Sequence, residues 1–358
     1  MSMKRFIPII VAALAACASA HPSRYTRKQA QKSLTRLETP GLVVGEFTLT
    51  KVVDGDTVHV DGLDSSLRLL GLDTEETFKH PADYHLFESL SWEDYKKQVR
   101  GTSPRPVKFD TPMGMAAKKW AEDFFAGVDK VRVERDDPKQ IRDRYNRYLA
   151  YVFAQKNGVW LNYNVEAVRA GMAPYFPKYG RSRRFHDEFV KAEQEAKAAH
   201  RGIWAPGAQA YDDYPEREAW WTARGDFVAK FTEVAEANPN YISMDDFDAT
   251  QRLEQMVGKE VVLLGTVADI YIGEKGPTRV TLSHGQHADF PLIFFDRDVF
   301  VQSGIDAWKG EWVIATGVPS VYENKHTHKK QVQIVIDRAS QIQLSDVPGL
   351  KRPTVTTP

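Results

Sequence analysis

The stretch Val52-Val53-Asp54-Gly55-Asp56-Thr57-Val58 is answered by Arg68-Leu69-Leu70-Gly71-Leu72-Asp73-Thr74-Glu75-Glu76, and these two runs decide the fold. Both are apolar and rich in strand-forming residues, with carboxylates at their ends and one arginine between them. Asp61-Gly62 lies between the runs and is a hairpin dipeptide, so the chain is expected to turn back there. Folded that way, Asp56 and Asp73 come together with Arg68 and Glu76 nearby. Phe47, Leu49, Val58, Val60 and Leu67 to Leu72 extend the strand texture on both sides.

The residue types in this cluster point to phosphate chemistry beside a hard cation. Asp56, Asp73 and the Thr74 carbonyl offer only oxygen donors, which suit Ca²⁺ or Mg²⁺ and suit zinc poorly. Arg68 can hold a phosphate through two parallel hydrogen bonds, which a lysine cannot reproduce. Glu76, three residues past Asp73, is placed to orient or deprotonate a water. A second arginine, Arg147, stands at the mouth of the strand Tyr148 to Ala154, where it can brace a pentacoordinate phosphate. Asp54 is expected to bond its own turn.

Outward from this cluster, Pro112 followed by Ala116, Ala117, Trp120, Ala121, Phe124 and Phe125 marks a helix with a stripe at spacing three and four. Val165 to Gly171 reads as a short helix and Arg183 to His200 as a longer charged one. The segment 78–111 breaks all periodicity. It carries Phe78, Tyr84, Phe87, Trp92 and Tyr95, which either narrow a substrate groove or pack as a surface insert. Pro206 to Pro215 has a linker composition, and 207–240 is assigned as a linker region. Beyond it, 241–346 reads as five strands with a helix between the third and fourth, the layout of an OB-fold. There Tyr322 is a candidate stacking ring, and Lys325 and Lys329 form part of a basic hairpin tip. The tail 347–358 is proline-marked and expected to be disordered.

At 358 residues the chain is too long for one ordinary core, so two domains are expected. Lys+Arg and Asp+Glu each number 48, so bulk charge announces no polyanion partner, and a nucleic-acid site must be a local basic patch. Residues 1–20 read as an export signal, with Lys4 and Arg5 before an apolar run too short to anchor as a membrane span. Cleavage after Ala20 and a lipobox at 14–17 that would lipidate Cys17 both fit. Cys17 is the only cysteine, which excludes an intrachain disulfide and a cysteine metal cluster. Residues 21–44 form a polar tether, and the mature chain is expected to contain no transmembrane helix.

Asp54-Gly55-Asp56-Thr57, Arg68 to Glu76, Tyr145-Asn146-Arg147-Tyr148-Leu149-Ala150-Tyr151 and the ending Ala196 to Trp204 resemble the successive motifs of staphylococcal nuclease-like (thermonuclease) domains. The resemblance covers Gly45 to Pro206. It implies a β-rich α+β protein, a five-stranded OB-type barrel with three helices, here followed by the small OB-fold-like barrel. It also implies Ca²⁺-dependent hydrolysis of DNA or RNA phosphodiesters, with metal ligands Asp56, Asp73 and Thr74 and catalytic Arg68, Glu76 and Arg147. Tyr145, Tyr175 and Tyr179 are its substrate-binding candidates. The sequence departs from the family pattern in three places. Glu75 replaces a proline and is expected to add a carboxylate beside the metal. Asn146 replaces a glycine and tolerates the left-handed turn. The third departure is the long insert 78–111. The expectation is thus a monomeric exported nuclease, either a membrane-anchored lipoprotein or a periplasmic or secreted enzyme. The competing reading is a non-catalytic nucleic-acid-binding or envelope scaffolding protein.

Overall fold

The computed structural model describes residues 41–103, 105–283, 289–325 and 327–351. The export segment with Cys17, nearly all of the tether and the end of the tail lie outside the described residues.

One long strand, β1 (Val43–Asp54), serves two partners. Its first half pairs antiparallel with β4 (Lys130–Glu134), and its second half with β2 (Thr57–Val60). The tight turn between β1 and β2 falls at Gly55-Asp56, where Asp54 pairs with Thr57, so the run Val52–Val58 is itself a hairpin tip. Asp61-Gly62 lies where the chain is expected to turn back, in the connection that folds β2 onto β3 (Leu67–Leu69), with Gly62 at φ +82°. β3 pairs antiparallel with β2 and parallel with β5 (Tyr148–Lys156), and β5 pairs antiparallel with β4. The five strands thereby close into the OB-type barrel, with β6 (Val159–Asn162) added beside β5. Val58, Leu67, Leu69, Val131 and Val152 fill the interior, each worth about 1.5–3 kcal/mol of burial.

The helices read from the sequence are present as α3 (Pro112–Phe125), α4 (Tyr163–Arg169) and α5 (His186–Ala198). The insert before α3 contains two more, α1 (Pro81–Ser89) and α2 (Trp92–Arg100). No residue of α1 is buried. The insert is held instead by a ladder of rings, Phe78, Phe87, Trp92, Tyr95 and Phe109, whose neighbouring centroids lie 5.3–6.3 Å apart and which ends on Tyr211 at 4.7 Å.

Where the sequence reads as a linker, the chain forms its longest described helix, α6 (Tyr214–Ala235, 22 residues). Its buried positions follow a helical stripe, but that stripe includes Arg217 and Arg224, so the apolar period is interrupted in the sequence. Tyr214 and Trp221 pack with Phe176 and Ile203 of the first barrel. Phe227, Val228 and Phe231 pack with Leu264 and Trp312 of the second.

The second barrel repeats the connectivity of the first. After β7 (Tyr241–Ser243) and α7 (Ala249–Gln255), the long strand β8 (Val261–Tyr271) pairs with β11 (Trp312–Gly317) along its first half and β9 (Thr278–Ser283) along its second. β9 pairs with β10 (Asp289–Phe294), and β10 lies parallel to β13 (Lys330–Val335), as β3 lies parallel to β5. α8 (Arg297–Ser303) again stands between third and fourth strands. The fourth of the five expected strands is broken at Val318 into β11 and β12 (Pro319–Glu323), which pairs with β13, and β14 (Ile342–Leu344) adds to β11. No helix among the described residues is long and apolar enough to cross a membrane.

The two barrels meet at Glu311, a carboxylate with no exposed surface. It accepts from Arg224 Nη1, from Arg105 Nη1 at 2.8 Å and from Trp220 Nε1 at 3.1 Å. Because Arg224 is itself 1% exposed, Glu311→Gln strands a buried guanidinium. We expect that variant to lose about 3–5 kcal/mol of unfolding free energy in a urea titration followed by tryptophan fluorescence.

Near the same junction, burial and the adjacent Asp246 push the Asp245 carboxyl up to about 7, and burial pushes Asp246 up to about 6. Both keep their protons in the folded chain at pH values where the unfolded chain has lost them. Their contribution therefore favours folding at low pH and is lost as pH rises from about 4 to about 7. Asp245→Asn should remove most of that fall, raising the thermal midpoint near neutral pH while leaving it almost unchanged at about pH 4.

Candidate active site

Strand alternation sets the first part of the site. In β3, Leu67 and Leu69 point into the barrel, so Arg68 between them points out. Its Nη1 meets Asp56 and its Nη2 meets Asp73 Oδ1, so one guanidinium joins the β1–β2 turn to the loop after β3. Asp56 is further held by Thr57 Oγ1 at 2.8 Å and by the Thr74 backbone N–H at 3.2 Å. Gly55 allows this approach, since a Cβ there would lie 2.5 Å from Thr74 Cγ2. The residues named from sequence as Asp56, Arg68, Asp73 and Thr74 are thus one contiguous group.

Burial opposes ionisation of Asp56, but Arg68 and Lys108 outweigh it and hold its carboxyl well below the usual range. Asp54 is pushed the other way, up to about 7, by burial and by the charge on Asp56. Glu76 sits at the edge of the group, 3.0 Å from Lys79 Nζ through Oε2 and 3.5 Å from Lys108 Nζ through Oε1. Lys108 also reaches Asp73 Oδ1 at 2.7 Å.

Arg147 comes from the turn that leads into β5. Arg68 is in register with Leu149, and Arg147 stands two residues before Leu149, immediately ahead of β5. Asp143 holds its guanidinium at 2.7–2.8 Å, and Asn146, at φ +66°, makes the left-handed turn that presents it. The Tyr145 ring is 60% exposed and lies against Arg144 and Arg147. Tyr179 is also open, and its hydroxyl lies in the field of Asp73, Arg224, Arg68 and Lys108.

Tyr175 does not face the site. It is 6% exposed, its ring stacks on Phe189, and its hydroxyl is committed to Ser182 N and His186 Nδ1 at 3.0 Å each. Tyr322, Lys325 and Lys329 lie on β12 and the hairpin tip of the second barrel, and no contact among the described residues joins them to the Asp56–Glu76 group.

Glu75 also turns away from the place its neighbours suggested. It is 2% exposed and accepts from Thr111 Oγ1, from Tyr211 N at 2.7 Å and from Tyr214 Oη at 2.7 Å. Burial raises its pKa against those donors. The same loop is fixed from below by α3, where a Cβ on Gly114 would lie 2.0 Å from the Glu76 carbonyl oxygen. Lys108 and the buried role of Glu75 escaped the sequence reading, since each depends on a partner far along the chain. The one available signal was Glu75 itself, the residue out of pattern.

Among the described residues no three His, Cys, Asp or Glu side chains form a ready cage for a metal. Asp56 and Asp73 nonetheless converge within the span of one guanidinium, and with the Thr74 carbonyl they are all oxygen donors. That set fits a hard cation whose remaining positions are water, as Ca²⁺ accepts.

A parallel β3–β5 closure carrying outward arginines and turn carboxylates is the frame of an OB-type nuclease barrel. A family model described as Staphylococcal nuclease homologue matches residues 66–206. The uncharacterized protein MJ1439 of Methanocaldococcus jannaschii is 34% identical over 161 residues, 44% of this chain and 70% of that protein. Thermonuclease of Staphylococcus intermedius is 30% identical over 170 residues, 45% of this chain and 78% of that enzyme. Thermonuclease of Staphylococcus hyicus is 29% identical over 164 residues, 44% of this chain and 75% of that enzyme. The chain belongs to the staphylococcal nuclease family, a family of nucleic-acid hydrolases.

Removing the Glu75 carboxylate leaves the Tyr214 hydroxyl and the Tyr211 amide buried without their acceptor. Glu75→Ala is expected to cost roughly 2–3 kcal/mol of stability, read as a lowered urea midpoint by circular dichroism.

Proposed function

We propose that this chain is an exported, Ca²⁺-dependent nuclease that hydrolyses phosphodiester bonds of DNA or RNA. The observation that carries the reading is Arg68 joined to both Asp56 and Asp73, with Lys108 linking Asp73 to Glu76. In this reading Asp56, Asp73 and the Thr74 carbonyl hold the ion, which when bound polarises a phosphoryl oxygen and offsets charge in the transition state. Arg68 orients the phosphate. Glu76 accepts the proton of the attacking water, and Arg147, braced by Asp143, stabilises negative charge on the oxygens of the pentacoordinate phosphate. Tyr145 and Tyr179 offer exposed rings for flanking bases.

Residues 45–206 serve as the nuclease domain in this proposal and 241–346 as an OB-fold-like domain. Lys4-Arg5 with the apolar run to Ala18 supports export, with lipidation at Cys17 as one route to the membrane surface.

Digestion of single-stranded DNA, duplex DNA and RNA under calcium titration tests this directly. Cleavage should appear with Ca²⁺ and stop with EDTA. Glu76→Gln and Arg147→Ala should each lower turnover by about 10²–10⁴-fold with an unchanged circular dichroism spectrum. Absence of calcium-dependent cleavage on all three substrates would overturn the reading.

A further inference from the structure

Lys108 is the residue of this site that no pattern announced, and its surroundings show that it is placed rather than loose. Its ammonium lies 2.7 Å from Asp73 Oδ1 and 3.5 Å from Glu76 Oε1, while 43% of the side chain remains open to solvent. Any phosphate seated between Arg68 and Glu76 comes within its reach.

The residues on both sides of Lys108 are fastened from outside the segment that matches the family. Three residues earlier, Arg105 donates to the wholly buried Glu311 of the second barrel. The Val107 carbonyl accepts from Nη2 of Arg217, a side chain that α6 keeps buried. Phe109 is held at both backbone atoms by the Tyr211 hydroxyl, which receives its N–H at 3.0 Å and donates to its carbonyl at 2.8 Å. Tyr211, Arg217 and Glu311 all lie beyond residue 206. A lysine side chain normally spends its freedom in water, so two tethers on its flanking backbone and one on the Arg105 side chain are a means of delivering the ammonium to one place.

We propose that Lys108 is a phosphate-contacting residue of the nuclease site, held in position by the C-terminal part of the chain. The inference rests on the nuclease reading and adds a substrate-binding cation to Arg68 and Arg147. It also makes the region after residue 206 part of what shapes the substrate path.

The test uses the full chain and a short single-stranded oligodeoxynucleotide. KM and kcat are measured across a salt series for the wild type, Lys108→Ala, Lys108→Arg, Arg105→Ala and the Lys108→Ala/Arg105→Ala double variant. Terbium luminescence titrations report cation affinity independently of turnover, and circular dichroism checks the fold. Lys108→Ala should raise KM by about tenfold and flatten the salt dependence of kcat/KM by about 0.7 in logarithmic slope, the share of one single-strand phosphate contact. Lys108→Arg should recover most of both. Arg105→Ala should show a smaller rise in KM through the slackened tether, and the double variant should be no worse than Lys108→Ala alone.

Wild-type KM and salt slope in Lys108→Ala would overturn the proposal. So would a terbium affinity raised more than about tenfold together with higher activity at limiting calcium, because the lysine would then be a rival of the ion. A wild-type chain that cuts nothing under any calcium concentration would instead overturn the nuclease reading on which the proposal rests.

Discussion

Three residues, Leu67, Arg68 and Leu69, carry the constraint on which the first barrel depends. Among the described residues, the strand they form is the only one that pairs with both β2 and β5, so it closes the barrel with the two leucines inside. The pleat that buries those leucines leaves no choice for the residue between them. Arg68 must face outward, at the point where the β1–β2 turn and the loop after β3 converge. Core formation and site formation are one event here. A one-residue slip of β3 would bury the guanidinium and expose both leucines.

Much of this was legible in the sequence because it is local. The alternation around Arg68, the carboxylates at run ends and the tolerance of Asn146 for a left-handed turn are properties of a few neighbouring residues. The turn at Asp61-Gly62 between β2 and β3 is legible in the same way, whereas the second hairpin tip, at Gly55-Asp56 between β1 and β2, is hidden because it falls inside what reads as one continuous run. Legibility ends where a side chain answers to distant partners. Glu75 reads as one more carboxylate beside Asp73, yet its donors come from Thr111, Tyr211 and Tyr214. Helix α6 reads as a linker because two of its buried positions are arginines, whose burial is intelligible only once Asp213 and Glu311 are in place. Tyr175, a substrate-binding candidate by the family resemblance, is claimed by the core instead.

The second barrel reproduces the strand pairing of the first, down to the parallel contact between third and fifth strands and the helix before the fourth. What differs is the third strand's cargo. Where β3 presents Arg68, β10 is almost wholly buried and runs through Phe290, Pro291, Leu292, Ile293 and Phe294. The repeated architecture therefore does not repeat the chemistry. Its clearest physical contribution is Glu311, a carboxylate that makes sense only with the insert and α6 packed against it.

The hydrogen bonds to Glu75 have a consequence for modularity. The stretch shared with the family stops at residue 206, but two of the three donors to this buried carboxylate come later, at Tyr211 and Tyr214. A gene fragment cut at the edge of the homology would encode the barrel together with an acid that has lost most of its solvation. The unit that can be moved intact between proteins is accordingly longer than the unit that sequence comparison delimits. In this chain the cooperative block and the inherited block have different ends.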